Sequence, residues 1–323
     1  MMFRFLIVII GVFSIGLTYS QTCCSGGIPL SNNIGLEFSE DHSLILGLSY
    51  DFNNLNTLKN DSETLDDDSR LRTTHSVLVN AGYSFSKKLS IEGLFTWVNQ
   101  RRIISQFDTE NLDQTYGIGD AIVLARYKII NNIEKNWSIN LGFGVKIPVG
   151  SSTETNDQGI TLNADLQPGS NAWDLIYLLG ASKTFDFRPT MTFSTRVVYR
   201  QPGENTTYFG NSTYQFGDEL QAYISLSDQF IIKKTFINPG ITFKYRNATK
   251  DRTLGFDIPN TGGDWVFIIP NFSIQLFQNA SFNAAAELPL YSRPDGIQLT
   301  PTYRLTTGLL FNLFNKPQAL IIN

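Results

Sequence analysis

The chain has 323 residues, of which 17% are charged and 13% aromatic, and its formal net charge at pH 7 is −4. The charged fraction is low beside the ~25% of an average soluble domain, and the mild charge without a basic run disfavours nucleic acid as a partner. The length allows two soluble domains or one large all-β unit.

The first segment has the features of a secretory signal. Arg4 is followed by an apolar stretch over residues 5–17 and then by small and polar residues up to Ser20. The apolar stretch is short for a membrane span of about 20 residues. We therefore expect a signal peptide over residues 1–20 rather than an N-terminal anchor.

Two adjacent cysteines, Cys23 and Cys24, follow the predicted signal. Neighbouring cysteines close no large loop, and no Cys/His spacing in the sequence resembles a zinc site. The residues before them fit a lipoprotein signal poorly, so lipidation is the weaker interpretation. The sequence leaves the role of these cysteines open.

From residue 43 onwards, apolar residues recur at every second position in about twelve segments. The clearest segment is residues 136–150, whose alternate positions are all apolar: Trp137, Ile139, Leu141, Phe143, Val145, Ile147 and Val149. A period of two predicts a β-strand with one apolar face. Residues 265–269 break the rule, because Trp265, Phe267 and Ile269 fall on the side expected to be polar.

The connections between these segments alternate in length. Short ones lie at 86–88, 131–135, 186–189, 228–230 and 278–280; long ones rich in Asn, Asp, Gly, Ser and Thr lie near 53–71, 104–115, 150–170, 202–213 and 248–263. A soluble β-sandwich also has alternating strands, but it does not require this asymmetry of its loops. Long alternating strands joined by short turns on one side and long loops on the other are typical of outer-membrane barrels.

We therefore predict an all-β fold, a transmembrane antiparallel up-and-down β-barrel of about 12 strands over residues 43–314. Its apolar faces contact lipid, and its closure leaves no unpaired strand edge in the membrane. Residues 21–42 are expected to lie in the periplasm or to plug the barrel, and residues 315–323 form a C-terminal tail.

Charged residues with the opposite parity to the apolar residues are expected to line the lumen, because a charge facing lipid is unfavourable. They are Glu92, Asp120, Arg126, Lys128, Lys146, Asp174, Arg196, Arg200, Glu219, Lys244, Arg246, Glu287 and Arg304. Two interpretations remain open. These charges could pair across neighbouring strands and fill a narrow barrel, or they could line a polar conduit of mixed charge.

Catalysis and metal binding have little support in the sequence. His42 lies before the first strand, and His75 has lipid-facing parity, so neither is placed for a Ser-His-Asp triad. The acidic stretch at 61–70 lacks the ordered spacing of a calcium loop and reads better as a solvated loop. We expect no catalytic, metal-binding or cofactor-binding residues and no cofactor.

Three motifs in order resemble a family of Gram-negative outer-membrane proteins named for the meta-pathway of phenol degradation. They occupy residues 117–129, 144–152 and 166–185. The residues that carry the resemblance are Gly117, Gly119, Asp120, Arg126, Tyr127, Lys128, Lys146, Pro148, Gly150, Gly169 and Asp174. The resemblance implies a barrel that passes small, hydrophobic or aromatic molecules across the outer membrane. Independently of it, Asp120 is expected to pair with a cation in the lumen.

The combined expectation is a transporter-like barrel in the outer membrane, acting as a porin-like channel for passive diffusion. Its partners would be outer-membrane lipid and a small-molecule permeant, with no nucleic acid. The alternatives are a structural or secretion-associated barrel without conductance and an outer-membrane hydrolase.

Overall fold

The computed structural model describes residues 41–106 and 109–313. The predicted signal peptide, most of segment 21–42 with both cysteines, and the tail at 315–323 lie outside these residues. The twelve strands that close the barrel are β1 Ser43–Asn60, β2 Arg70–Ser84, β3 Leu89–Gln106, β4 Ala121–Asn132, β5 Trp137–Ile147, β6 Asp174–Phe185, β7 Arg188–Pro202, β8 Glu219–Ser227, β9 Thr235–Ala248, β10 Gly263–Phe277, β11 Ala280–Pro294 and β12 Ile297–Leu313.

These strands form one closed antiparallel barrel. Each strand pairs with its neighbours in the chain, and β12 pairs back onto β1 from Leu44↔Leu313 to Asn60↔Ile297. The predicted fold class is confirmed. Closure satisfies the main-chain groups of the first and last strands, which an open sheet would leave unpaired.

The period-two pattern of the sequence appears as alternating exposure along each strand. On β5, Leu141 and Phe143 are about half exposed, whereas Lys146 is almost fully buried. The exposed positions are the apolar residues that the sequence assigned to lipid, so the outer surface of the wall is apolar. Within the described residues, no helix combines the length and the hydropathy that a membrane-spanning helix needs.

One predicted loop is instead an extended hairpin. The sequence suggested a long connection near residues 104–115, but β3 continues to Gln106 and pairs with a strand over Thr109–Ile118. The prediction was wrong because this hairpin continues the wall past β4, where neither of its faces needs a regular apolar pattern.

Two further long connections on this side, between β7 and β8 and between β9 and β10, lie against each other. Strands Glu204–Tyr208, Ser212–Gln215, Arg252–Thr253 and Phe256–Asp257 form a small separate sheet. Tyr214 of this sheet and Phe216, the residue after its second strand, pack on Ala164, which belongs to the connection between β5 and β6. We call this sheet with the adjoining residues, 204–217 and 249–258, the outer cap. The connection between β5 and β6 packs beneath it.

Candidate functional site: the interior of the barrel

The structure places all thirteen charged lumen candidates on the side of the wall opposite to the exposed apolar residues. Ten are buried, namely Glu92, Asp120, Arg126, Lys146, Asp174, Arg200, Glu219, Lys244, Arg246 and Glu287. Lys128, Arg196 and Arg304 are half-buried. Strand parity alone brings them together, because a sheet puts alternate residues on one face.

Six of these charges form a continuous ladder of alternating sign across the wall from β4 to β9. Lys146 Nζ lies 2.7 Å from Asp120 Oδ2 and 3.4 Å from Asp174 Oδ1. Arg200 then bridges Asp174 at 3.8 Å and Glu219 at 3.5 Å. Arg246 Nε completes the ladder 2.6 Å from Glu219 Oε1. Each buried charge thus has an opposite charge on a neighbouring strand, which offsets the cost of its desolvation.

Three further pairs join other parts of the interior. Arg126 lies 3.8 Å from Glu92, Lys244 lies 3.1 Å from Glu287, and Arg304 lies 2.8 Å from Asp51. Of the two interpretations of the lumen charges, the described contacts favour pairing across strands. Lys146 in particular is bound on several sides and is not free to attract anions.

The connection between β5 and β6 folds into the barrel, which the sequence did not indicate. Its centre is a short 3-10 turn over Ala164–Leu166, and all three of its residues are buried. Arg72 Nη1 on β2 donates to Asp165 Oδ2 at 2.7 Å, with both side chains almost fully buried. Gln100 Nε2 on β3 donates to the carbonyl of Leu166 at 3.2 Å. We call residues 148–173 the inward loop.

The base of the inward loop is where the family motifs converge. Asp120 accepts hydrogen bonds from the amides of Gly150 and Ser170 at 3.1 and 3.0 Å, in addition to its ion pair with Lys146. A Cβ at Gly169 would lie 2.5 Å from the carbonyl oxygen of Gly150. Only glycine allows the two ends of the loop to meet this closely. The expected pairing of Asp120 is present, and its further role is to hold the loop.

Beside the charges, the interior contains an apolar cluster that the sequence analysis missed. Its members come from β2, β3, β4, β6, β7 and β8, and they are Leu78, Leu94, Ile122, Leu124, Ile176, Leu178, Val198 and Tyr223. All are at most 4% exposed, so they pack against one another as in a protein core. Their parity was the available signal, since all except Leu78 share the parity of the predicted lumen charges on their strands.

An aromatic row on β10 extends the apolar part of the interior. Trp265, Phe267 and Ile269, which broke the alternation of the sequence, are fully buried on the inner face. Arg246 lies over the Trp265 ring at 4.8 Å, and Lys244 lies over the Phe267 ring at 5.1 Å. The break in the sequence pattern therefore marks cations stacked on aromatic rings inside the barrel.

The two histidines are not arranged for hydrolysis. His75 Nδ1 lies 2.6 Å from the Tyr50 hydroxyl on the outward face, and His42 is exposed beside Asp41. Among residues 41–106 and 109–313, no three His, Cys, Asp or Glu side chains are placed to bind a metal ion.

The outer cap contains a partly buried carboxylate, Asp251, that is held mainly by neutral donors. Asp251 accepts hydrogen bonds from the Tyr214 hydroxyl at 2.6 Å and from the Gly217 amide at 2.8 Å. Burial raises the pKa of Asp251 to about 6. Burial also raises the pKa of Tyr214, which stays protonated and keeps donating to this carboxylate.

Comparison with solved structures identifies the same fold in outer-membrane proteins. The COG4313 outer membrane channel from Pseudomonas putida F1 aligns over 87% of this chain and 99% of its own, with a TM-score of 0.68 and 13% identity. The beta domain of the Bordetella autotransporter BrkA aligns over 84% of this chain and 99% of its own, with a TM-score of 0.50 and 10% identity. At these identities the likeness concerns the fold alone.

No curated protein matches the chain. A family model does, and its match covers residues 94–288. The matched region contains the ladder from Asp120 to Arg246, the inward loop and the aromatic row. Because the match spans more than half of the chain, the protein belongs to the family described as "Putative MetA-pathway of phenol degradation".

Proposed function

We propose that this barrel lies in the bacterial outer membrane and acts as a channel through which small molecules with an apolar or aromatic part diffuse passively. The observation that carries the proposal is the apolar cluster inside the barrel. A wall built only to enclose water would place polar residues inward, as porins do. Here Leu124 and Ile176 face inward beside Arg126 and Asp174.

Such an interior would favour permeants whose apolar part transfers readily from water to the apolar cluster. An apolar group gains free energy of roughly 25 cal/mol per Å² when it leaves water for an apolar surface. A purely polar solute gains nothing there and loses hydrogen bonds to water. The cations over Phe267 and Trp265 add a region that suits a flat ring with a polar substituent.

The inward loop is the obstacle on this path. It is fastened by Arg72 on one side and by Lys146 and Asp120 on the other. The apolar cluster is also closely packed in this structure. Passage therefore requires the loop to shift or the cluster side chains to change rotamers, which gives a narrow and selective channel rather than a wide pore.

The test is ion current through single barrels in planar bilayers, with benzyl alcohol or glycerol added as a probe. We expect a small conductance that benzyl alcohol reduces more than glycerol does. Leu124→Ser places a hydroxyl in the apolar cluster and should weaken the effect of benzyl alcohol severalfold. The matched control is Val123→Ser, on the outward face one residue away, which should leave the effect unchanged.

The outcomes separate the candidate functions. Both variants must first show the heat-dependent electrophoretic mobility of a folded barrel. A folded barrel that never conducts would favour a structural or secretion-associated role. A conducting barrel whose block by benzyl alcohol ignores Leu124→Ser would show that the apolar cluster is not on the permeation path.

A further inference from the structure

The outer surface of the barrel contains a groove on β4 to β7 that the proposed channel does not use. Its volume is about 530 Å³. The side chains that form its sides point outward from the wall, in two rows: Phe143, Tyr177 and Tyr199 in one, and Tyr127, Leu141 and Leu179 in the other. Its floor includes Ala125 and Gly142, which contribute a methyl group and main chain.

Strand register explains why a groove forms here. Ala125 pairs with Phe143, which pairs with Tyr177, so one small residue begins a row of large rings. The ring centroids of Phe143 and Tyr177 are 5.5 Å apart, and those of Tyr177 and Tyr199 are 6.3 Å apart. Tyr199 is fixed further by its hydroxyl, which donates to Asp218 at 2.8 Å. The aromatic side of the groove is therefore a preorganised surface.

The surroundings of the groove restrict what can occupy it. The strands that form it span the membrane in a barrel of this class, so their outward side chains meet hydrocarbon and not water. The groove offers almost no hydrogen-bonding atoms to a ligand, and this favours a long apolar chain. Whatever fills it must come from the bilayer.

The short-turn end of the same strands is basic, so a cationic surface lies beside the apolar groove. Lys88 directly precedes Leu89, which also lines the groove. Lys183 lies on the outward face of β6, four residues or roughly 13 Å from Leu179. Lys183 donates to the carbonyl of Lys135 in the neighbouring turn.

The charges of these turns give an excess of cations below the groove. Over residues 86–88, 133–136 and 183–187 the chain has Lys87, Lys88, Lys135 and Lys183 against Glu134 and Asp186. Asp186 is itself 3.4 Å from Lys183 and mostly exposed. Basic residues at the edge of an apolar surface attract anionic lipid head groups.

We propose that the groove binds one acyl chain of an anionic phospholipid, whose phosphate lies among the lysines of the short-turn rim. The chain and the head group are recognised by different parts of one site, the groove for the hydrocarbon and the rim for the charge. The site is a property of the outer wall and does not depend on whether the interior conducts.

The experiment is native mass spectrometry of the whole folded protein, released from micelles that contain equal amounts of phosphatidylglycerol and phosphatidylethanolamine. We expect one retained phospholipid per barrel, predominantly phosphatidylglycerol. Ala125→Phe fills the floor of the groove and should lower the retained lipid at least about fivefold. Ala81→Phe, on the outward side of β2 and remote from the groove, is the matched control and should retain it.

A second variant tests the rim without touching the groove. Lys88→Gln with Lys135→Gln and Lys183→Gln changes two turn residues and one residue at the short-turn end of β6, outside the groove. We expect it to abolish the preference for phosphatidylglycerol while a phospholipid is still retained. The alternative occupant of the groove is a small aromatic molecule. Naphthalene, added as a competitor of the phospholipid, tests this alternative.

Three results would overturn the proposal. The first is phospholipid retention that Ala125→Phe and Ala81→Phe reduce equally. The second is a preference for phosphatidylglycerol that survives the triple lysine variant. The third is a folded barrel that retains naphthalene in the groove and no phospholipid.

Discussion

The two faces of β4 and β5 are both partly apolar, yet they are built under different constraints. On the outward face, Val123, Leu141 and Phe143 are exposed, although the Phe143 ring lies beside the Tyr177 ring. On the inward face, Ile122 and Leu124 are almost fully buried beside Lys146. The residue types overlap, but only the inward residues are almost fully buried.

This difference follows from what each face meets. Lipid tails are fluid and fit any apolar shape, so the outward face must only avoid charge. The inward face meets other side chains at the density of a protein core, so shape and partner both matter. The effect of an inward substitution on stability should therefore depend on which side chains it contacts. The effect of an outward substitution on stability should depend on its polarity.

The largest expected loss of stability comes from removing Lys146, which joins two carboxylates of the charge ladder. Lys146→Met keeps the side-chain length but leaves Asp120 and Asp174 without their shared cation. Removing one partner of a buried ion pair costs about 3–5 kcal/mol, because the remaining charge stays buried. We expect a large fall in the urea midpoint for unfolding in liposomes.

The control for Lys146→Met is Lys87→Met, in the exposed turn between β2 and β3. It removes the same charge where no buried partner depends on it, so its midpoint should match the unsubstituted protein. Equal midpoints for the two variants would mean that the ladder does not stabilise the barrel.

The next largest effect is expected on assembly, and it compares two neighbouring residues of β5 that face opposite sides of the wall. Leu141→Arg puts a cation on the lipid face, at a cost of roughly 2–4 kcal/mol at mid-depth. Asn140→Arg has inward parity, and the neighbour of Asn140 on β6 is Gly180, which has no side chain. Assembly yield in liposomes, read from heat-dependent mobility, should fall for Leu141→Arg only. Equal yields would contradict the assignment of the two faces.

The fold could be predicted because its signal is local. Alternation along residues 136–150 requires no knowledge of other strands, and the same parity places Lys146 and Asp174 on one face. The apolar cluster was missed because hydrophobicity does not tell lipid from core. Ile122 and Leu124 alternate with the outward apolar residues of β4, and the prediction placed only charged residues in the lumen, although parity already separated the two apolar sets.

The inward loop could not be predicted for a different reason. Its fastening depends on Arg72 and Asp165, which are 93 residues apart in the chain. Neither residue belongs to a periodic pattern that would reveal its partner. The glycines of the family motifs were visible, but their meaning depends on the close approach of Gly150 to Gly169, which only the folded chain shows.

The outer cap is a second packed region, built from the long connections, and the change expected in its free energy of opening is the smallest. Asp251 is partly buried there with Tyr214 and Gly217 as donors, and desolvation raises its pKa to about 6, against 3.8 for an unperturbed carboxyl. At pH values between 3.8 and about 6, Asp251 binds more protons in the folded cap than in the opened cap. The free energy of opening the cap should therefore decrease as the pH rises from about 4 to about 6, by at most about 3 kcal/mol, and then stay level.

Hydrogen exchange at the Gly217 amide, corrected for the intrinsic pH dependence of exchange, measures this opening. Protection should be higher at pH 4.5 than at pH 7, because the charged carboxylate is the disfavoured form in the buried site. Asp251→Asn cannot ionise and should remove the pH dependence. Asp257→Asn, an exposed carboxylate paired with Arg252 at 3.1 Å, should leave it intact. Protection that rises with pH, or that stays pH-dependent in Asp251→Asn, would show that another group controls the cap, and the interior-like packing of this region would then not depend on Asp251.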